Sequence, residues 1–390
     1  MNDKTLKILA INSFCFFLVL CLLSNLLVTQ DSQVLANTDM DTLDSDSVVA
    51  AETNELTTNE IPAETIGEDD TDTSLSFDSE TLGDTYIRLD ISKTEYEQIT
   101  LQDNYMEREL SLKISGLSEQ AFQKKDVERI QKKGFRYGKA RPKDSGDLVK
   151  DLHISYSYNP SDFTYEANIS LQMKKLYAPK LMIGTTYCYV VLQKPKDVYD
   201  KIVVIDAGHG GNDTGTYSRD LSYIEPTYTL AIAMELKKLL DNSSIHAYYT
   251  RTEDTDVSKK ARAQLANELE ADFLVSIHCN GAQGIDLTAN GMEALYTTKM
   301  DSLPISNRTF ANTCLAELTD ATGRKNRGII YRDDLYLLNH SKIPTTILEV
   351  GFMSDKQDMK YLNKKSNLKQ IAEGIFNGIQ KSYAKTEAGQ

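Results

Sequence analysis

Cysteine is scarce in this chain, and the few cysteines present form no pattern. Five occur in 390 residues, and two of them, Cys15 and Cys21, lie in an apolar N-terminal stretch. The other three, Cys188, Cys279 and Cys314, are widely spaced and odd in number. This spacing indicates neither a disulfide framework nor a Cys-x-x-Cys metal site. The lack of a disulfide pattern does not exclude secretion, because a chain of this length can bury a hydrophobic core without disulfides.

Basic residues are missing from one long stretch. Between Asn37 and Asp84 there are fifteen Asp and Glu residues and no Lys or Arg, a charge of −15. The whole chain carries −14, and residues 1–36 hold two acids and two lysines, so the remainder is near +1. The acidity therefore says nothing about the partners of the folded part. We expect residues 37–84 to be a disordered, self-repelling linker, because they have too few apolar side chains to build a core; a binding tail is the alternative.

The N-terminal apolar region, Ile8 to Val28, is interrupted by polar residues. Its uninterrupted part, Phe14 to Leu23, has the length of a signal-peptide core and is too short to cross a bilayer, whereas the whole region is just long enough. Small residues precede the possible cleavage point after Ala36. We favour a cleaved signal peptide over residues 1–36 and keep an uncleaved anchor as the alternative.

Residues 85–196 show the alternation of apolar and polar residues that is typical of half-buried strands. We expect a small β-rich domain, a sandwich, with one helix over Ser118–Lys133. The segments that predict strands are Tyr86–Ile91, Leu110–Ile114, His153–Tyr156 and Cys188–Leu192.

A basic stretch lies within this β-rich region. Its members are Lys124, Lys125, Arg129, Lys132, Lys133, Arg136, Lys139, Arg141 and Lys143. Such a cluster is more often a solvated helix face, which is the interpretation we favour. Binding of an anionic cell-wall polymer is the alternative.

From residue 197 to about residue 385, strand and helix patterns alternate. This alternation predicts an α/β domain with a mainly parallel sheet and helices on both faces. The predicted strands are Ile202–Ile205, Ala247–Thr250, Phe273–Ile277 and Thr345–Leu348, and the predicted helices start near Pro226, Ser258, Ser306 and Leu368.

Four chemically active side chains follow or end these elements. His209, His278 and Glu349 come at strand ends, and Glu225 directly precedes the helix that starts at Pro226. Neighbouring parallel strands lie about 5 Å apart, so side chains at their shared edge can reach one ion. Two imidazoles and one carboxylate form a known catalytic zinc set, and hydrolysis needs a further carboxylate to move the proton. We assign Glu225 to the metal and Glu349, after an apolar run that would raise its pKa, to general acid/base catalysis.

Residues 201–382 contain a series of motifs in a fixed order: Val204–Gly211, Glu225 before Leu230–Ala233, Thr250-Arg251, Ser276–Asn280, Arg327-Gly328 and Glu349–Phe352. With these motifs the segment, nearly half of the chain, resembles the catalytic domain of the zinc-dependent N-acetylmuramoyl-L-alanine amidases of type 3.

The resemblance implies one Zn²⁺ held by His209, Glu225 and His278, with Glu349 catalytic. It implies cleavage of the amide bond between the lactyl group of N-acetylmuramic acid and L-alanine in peptidoglycan. The expected partner is peptidoglycan and not nucleic acid, and the expected location is extracellular and wall-associated, with membrane contact only through the N-terminal segment. A zinc peptidase of stem-peptide bonds and a catalytically silent wall-binding protein are the alternatives.

Several residues around the expected site keep two interpretations. Asn280 either donates to the substrate carbonyl or shapes the turn after His278. Arg251 and Arg262 either bind a substrate carboxylate or pair with nearby acids such as Asp254 or Asp256. Asp206 is a candidate to orient a ligand imidazole, because it lies near the same strand end.

Overall fold

The computed structural model describes residues 60–65, 86–89, 91, 93–117, 136–137, 149–184, 188–281, 289–299 and 304–388. The signal peptide or anchor predicted over residues 1–36 and the helix predicted over Ser118–Lys133 lie outside these ranges. So does the basic stretch, except for the backbone of Arg136. Among the helices that the structure describes, none combines the length and the apolar character needed to cross a membrane.

The N-terminal part of the described chain is a β-sandwich, as the alternation predicted. Its first sheet has the strand order β1-β4-β5-β8-β7, and its second has the order β2-β9-β10-β3-β6. The strands are β1 (Glu60–Ile61), β2 (Ala63–Thr65), β3 (Tyr86–Leu89), β4 (Gln98–Asn104), β5 (Glu109–Leu117), β6 (Arg136–Tyr137), β7 (Val149–Asn159), β8 (Thr164–Met173), β9 (Ala178–Ile183) and β10 (Cys188–Gln193).

Alternate residues of these strands fill the space between the two sheets. In β5 the inward side chains Leu110, Leu112 and Ile114 are each at most 4% exposed. They belong to one cluster with residues of the opposite sheet, such as Leu181 and Val190. The sandwich therefore has a hydrophobic core of its own.

Residues Glu60–Thr65, which we expected to belong to a disordered linker, contain two short strands. The prediction of disorder is wrong for these six residues. Ile61 pairs with Leu101 at the edge of the first sheet and packs against its core. Ala63 pairs with Leu181 at the edge of the second sheet. Edge strands need only backbone pairing and one or two apolar contacts, so a short segment of an acidic stretch can form them. The rest of the predicted linker lies outside the described ranges.

The C-terminal part is an α/β unit around a six-stranded sheet of order β12-β11-β13-β16-β14-β15. Every strand pair is parallel except β14 with β16, so the mainly parallel sheet is confirmed. The strands are β11 (Ile202–Ala207), β12 (His246–Tyr249), β13 (Phe273–Asn280), β14 (Met292–Tyr296), β15 (Asn326–Tyr331) and β16 (Thr345–Phe352). The helices are α1 (Pro195–Val198), α2 (Glu225–Asp241), α3 (Lys259–Glu268), α4 (Asn307–Thr322), α5 (Tyr336–His340), α6 (Lys356–Leu362) and α7 (Lys365–Ala388).

Local sequence signals set several of these boundaries. All six residues of β11 are buried, as expected for a strand covered on both faces. The hydroxyl of Ser258 accepts from the N–H of Ala261 and caps α3. Ser306 caps α4 in the same way, through the N–H of Thr309. These two helices therefore begin where the sequence predicts them.

The turn between β4 and β5 joins the sandwich to the α/β unit. The hydroxyl of Tyr105 donates to the carbonyl of Tyr249 and accepts from its N–H, both at 2.9 Å. Its ring meets Tyr248 edge to face, with centroids 5.0 Å apart. Nearby, Nε of Arg108 donates to Glu268 at 3.0 Å. Tyr105 and Met106 pack against the core cluster of the α/β unit, so the two parts share buried surface.

Candidate metal centre and active site

The four residues expected to carry the chemistry lie at one edge of the C-terminal sheet. His209 comes two residues after β11, and Glu225 is the first residue of α2. His278 is in β13, and its backbone is the register partner of Glu349 on the neighbouring strand β16. The parallel register thus brings together residues that are up to 140 positions apart in the sequence.

Three of the four form a tight cluster. Nε2 of His209 lies 3.2 Å from one oxygen of Glu225, and Nδ1 of His278 lies 2.9 Å from the other. The two imidazole rings are nearly perpendicular, with centroids 4.8 Å apart. The possible ligand atoms of the three residues lie within 4.8 Å of one another. Their chemistry, two imidazoles and one carboxylate, fits a catalytic zinc ion with an open position.

The backbone around His209 is shaped to make this cluster possible. His209 has φ of 59°, a left-handed conformation that is rare outside glycine and that turns the chain after β11. A Cβ atom at Gly208 would lie 2.5 Å from Cε1 of His278. Gly208 is therefore a glycine because the second imidazole occupies the space of a side chain.

Glu225 is held as a carboxylate. It is 1% exposed and accepts hydrogen bonds from the backbone N–H groups of Thr216 and Cys279, both at 2.8 Å. Burial alone would raise the pKa of Glu225, but hydrogen bonds and charge from His209 and His278 outweigh it, and the pKa lies well below its usual range. Glu225 has the opposite effect on His278. Burial lowers the pKa of His278, but the hydrogen bond and the charge of Glu225 outweigh burial, so the pKa of His278 is raised.

Asp213 places a carboxylate beside Nδ1 of His209, the ring nitrogen that faces away from Glu225. The sequence alone did not predict this contact. Oδ2 of Asp213 lies 2.9 Å from Nδ1 of His209. The two atoms are close enough for an ion pair, but Nδ1 of His209 makes no hydrogen bond of good geometry among the described residues. Asp213 follows His209 by four residues in an irregular loop, so its direction could not be read from a strand or helix period.

The prediction that Asp206 orients a ligand imidazole is wrong. Asp206 is 1% exposed and accepts from the hydroxyls of Thr250 and Ser276, both at 2.6 Å, and from the guanidinium of Arg262. Both carboxylate oxygens of Asp206 are engaged by these three side chains, and none of its hydrogen bonds among the described residues goes to His209 or His278. Arg262 also donates to the carbonyl of His209 at 2.8 Å, so Asp206 supports the loop through this arginine.

Arg251 likewise supports the backbone. It is 3% exposed and donates to the carbonyls of Ala207, Gly208 and Pro226 at 3.0, 2.9 and 3.1 Å. Because Arg251 and Arg262 are buried and engaged, neither is placed to bind a substrate carboxylate. Pairing with a nearby acid, the alternative interpretation, is confirmed for Arg262, although the acid is Asp206 and not Asp254 or Asp256.

Glu349 lies beside the cluster, between His278 and Glu293 on the neighbouring strands, and is half-buried. Its Oε2 is buried and has no hydrogen-bond partner among the atoms that the structure describes. Burial raises the pKa of Glu349 to about 7, against the opposing charge of His278. A carboxyl group that titrates near neutral pH suits proton transfer in both directions.

A second carboxylate, Glu293, neighbours Glu349 and was missed by sequence reasoning. Glu293 on β14 is the antiparallel register partner of Glu349 and is 9% exposed. It accepts from Nε of Arg327 at 2.6 Å and from Nδ2 of Asn280 at 3.2 Å. Arg327 belongs to the Arg327-Gly328 motif, but no local pattern predicts β14, so the sequence does not predict the contact of Arg327 with Glu293.

Asn280 shapes the turn after His278 in the structure. Its Oδ1 accepts from the N–H of Gly281 at 2.8 Å, and its Nδ2 donates to Glu293. Its predicted contact with the substrate carbonyl stays a prediction. The adjacent Cys279 is 2% exposed and faces the core, as expected.

The comparisons with known proteins concern the α/β unit. A family model described as N-acetylmuramoyl-L-alanine amidase, Amidase_3, matches residues 203–381. The sporulation-specific N-acetylmuramoyl-L-alanine amidase of Bacillus subtilis (strain 168) is 30% identical over 183 residues, which cover 46% of this chain and 68% of that protein. The B. subtilis protein YqiI is 27% identical over 191 residues, 49% of this chain and 89% of its own length. A solved N-acetylmuramoyl-L-alanine amidase structure from Clostridium difficile 630 is 33% identical, with a TM-score of 0.44, and the match covers 47% of this chain and 97% of that one.

Proposed function

Because the chain belongs to the N-acetylmuramoyl-L-alanine amidase family, we propose that it is a zinc-dependent peptidoglycan amidase. The bond cleaved is the amide between the lactyl group of N-acetylmuramic acid and L-alanine of the stem peptide. The observation that carries the proposal is the cluster of His209, Glu225 and His278 with Glu349 beside it.

His209, Glu225 and His278 would hold one zinc ion. The nitrogens nearest the Glu225 carboxylate are Nε2 of His209 and Nδ1 of His278, so the three donors converge. When bound, zinc supplies a Lewis acid that activates water and polarises the substrate carbonyl. Asp213, 2.9 Å from Nδ1 of His209, would attract that ring electrostatically, and the backbone hydrogen bonds to Glu225 keep Glu225 ionised.

Glu349 would move the proton. As a carboxylate it takes a proton from the attacking water, and as an acid it gives that proton to the departing nitrogen of L-alanine. Its pKa of about 7 keeps both forms accessible at neutral pH. The like charge of Glu293 on the adjacent strand is neutralised by Arg327, whose Nε lies 2.6 Å away, so Glu293 contributes only a part of this shift.

A Glu349→Gln variant tests this assignment. Amide hydrolysis of purified peptidoglycan should fall by a factor of roughly 10²–10⁴, the usual contribution of a general acid/base, while zinc content stays at one ion per chain. Mass spectrometry of the wild-type digest should show stem peptides with a free L-alanine N-terminus. A variant with full zinc and native activity would contradict the role of Glu349.

The metal requires a separate measurement. Elemental analysis of the purified protein should find zinc, and a chelator should abolish activity until zinc is added back. Products cleaved within the stem peptide would instead support a zinc peptidase. Binding of peptidoglycan without any cleavage would support a silent wall-binding protein.

We also propose that the enzyme works outside the membrane, at the cell wall. This proposal depends on the apolar segment in residues 1–36 and on the substrate class. The mass of the protein recovered from the wall fraction distinguishes a cleaved signal peptide from an uncleaved anchor. Cleavage after Ala36 removes residues 1–36, whereas an uncleaved anchor retains them.

A further inference from the structure

Asp358 in helix α6 is a buried carboxylate that binds three separate parts of the α/β unit. It is 2% exposed. Its Oδ2 accepts from the backbone N–H groups of Gly291 at 2.8 Å and Phe352 at 2.9 Å, and its Oδ1 accepts from the guanidinium of Arg324. The N–H of Asp358 donates to Asp355, which caps α6. The start of the helix that carries this carboxylate is therefore itself fixed.

Two of these contacts fasten the strands that carry the carboxylates of the active site. Gly291 comes two residues before Glu293 on β14, and Phe352 ends β16 three residues after Glu349. Because one oxygen of Asp358 accepts from both N–H groups, it joins the start of β14 to the end of β16.

The third contact reaches the segment that leads into β15. Arg324 lies between α4 and β15, three residues before Arg327, which donates to Glu293 at 2.6 Å. The guanidinium of Arg324 also lies over the ring of Tyr361, 5.1 Å from its centroid. Asp358 thus connects the backbones that carry Glu293, Glu349 and Arg327.

Glu349 depends on its backbone for its position. Its buried Oε2 has no hydrogen-bond partner among the described residues, so no such contact fixes this oxygen. On one side β16 pairs with β14 at Glu293. On the other side its pairing with β13 shifts register just after the pair of His278 with Glu349. Asp358 fastens the end of β16 beyond this irregular point.

We propose that Asp358 is a positioning residue for amide hydrolysis, which holds Glu349 in place beside the metal cluster by joining β14 to β16. None of its hydrogen bonds among the described residues goes to His209, Glu225 or His278, so it acts on proton transfer and not on metal binding. This inference rests on the proposed amidase function and adds a residue on which Glu349 depends.

Asp358→Asn tests this role with almost no change in size. The amide replaces one acceptor oxygen by an NH2 donor, which must face either Arg324 or the two backbone N–H groups, so one set of contacts is lost. On a soluble N-acetylmuramoyl-peptide, kcat should fall by a factor of roughly 10–10², because a small displacement of a reacting group is costly. KM and zinc content should stay at their wild-type values.

A second measurement combines this change with Glu349→Gln. If Asp358 acts through Glu349, adding Asp358→Asn to the Glu349→Gln chain should lower kcat no further. Losses that multiply in the double variant would overturn the positioning role, since they would show that the two residues act independently. A native kcat in Asp358→Asn, or a loss of its zinc, would overturn it as well.

Asp272→Asn is the matched control, because Asp272 also joins several elements. Its Oδ1 accepts from Lys196, and its Oδ2 accepts from the N–H of Ile202 at 2.7 Å and the hydroxyl of Tyr383 at 3.0 Å. It precedes β13, at the opposite end of that strand from the metal cluster. This change should lower the free energy of unfolding and leave kcat unchanged. A fall in kcat equal to that of Asp358→Asn would overturn the proposal, since general instability would then explain both.

Arg324→Ala keeps the proposal testable if Asp358→Asn does not fold. It removes only the guanidinium and leaves both backbone contacts of Asp358. It should lower kcat in the otherwise wild-type chain and not in the Glu349→Gln chain; a native kcat would then overturn the positioning role. Each of these failures leaves the amidase function standing. A wild type that does not cleave the substrate overturns the amidase function, and the positioning role with it.

Discussion

Gly208 is a position at which the candidate metal centre leaves no room for a side chain. In Gly208→Ala the new Cβ would lie 2.5 Å from the His278 ring, and a ring fixed by Glu225 cannot move away without losing that contact. We expect zinc affinity to fall roughly 10–100-fold, as for other residues that position a ligand. Competition with a zinc chelator measures this affinity. Gly351→Ala is the control, since its Cβ would meet Leu362 at an ordinary 3.4 Å, and an equal loss there would contradict the steric explanation.

Asp206 makes stability depend on pH. Burial would raise its pKa, but the charge of Arg262 and hydrogen bonds from Ser276 and Thr250 outweigh burial and lower it. Its folded pKa therefore lies below the unfolded value of about 3.9, so its stabilisation is complete above that pH and is lost as the pH falls towards the folded pKa.

We expect Asp206→Asn to lower the free energy of unfolding at pH 7 by about 3–5 kcal/mol, because Arg262 is left buried without its partner. Urea unfolding at pH 7 and pH 3 measures both effects. Between pH 7 and pH 3, the free energy of unfolding should change less in the variant than in wild type. An equal change in both proteins would mean that Asp206 does not cause this pH dependence.

The residues of the metal cluster could be predicted because their positions follow from strand ends. His209 and His278 come where apolar runs stop, and parallel strands bring such ends to one edge. Asp213 and Glu293 could not be predicted in this way. Asp213 lies in a loop with no period, and Glu293 lies on a strand whose antiparallel direction no local pattern reveals.

At the scale of elements, the turn between β4 and β5 stabilises the α/β unit through hydrogen bonds to its strand β12. In Tyr105→Phe the two hydrogen bonds to Tyr249 are lost, and a backbone N–H and C=O of that residue lose their partner. We expect a loss of about 1–3 kcal/mol in the free energy of unfolding, the cost of such unsatisfied groups. Urea denaturation followed by circular dichroism measures it. Tyr158→Phe, at a tyrosine 50% exposed on β7, should change stability by much less; an equal loss would remove the special role of Tyr105.

A clear local signal helped prediction but did not guarantee it, since β4 and β8 alternate between buried and more exposed residues and were not predicted. β11 is a run of buried β-branched residues, and α3 begins at a serine cap, so both could be located from sequence. β15 is half exposed along its length and shows no alternation. β14 has only five residues, too few for an apolar run to be told from a buried turn of helix.

At the scale of the whole molecule, the sandwich and the α/β unit share one packed boundary. Tyr105, Met106 and Leu176 of the sandwich pack against the core cluster that contains Tyr248 and Leu265. A wall-binding module on a loose tether would not need such contacts. We therefore expect the sandwich to hold a fixed orientation towards the catalytic edge of the sheet, set by the turn between β4 and β5.

Removing the sandwich should consequently weaken the α/β unit. A fragment of residues 197–390 exposes the apolar surface that Tyr105, Met106 and Leu176 cover, and burial of each such side chain is worth roughly 1.5–3 kcal/mol. We expect the full chain to unfold in one calorimetric transition, and the fragment to unfold at a lower temperature. The Tyr105→Phe chain should fall between them. Two separate transitions in the full chain, with the later one at the temperature of the fragment, would show that the parts are thermodynamically independent despite their contact.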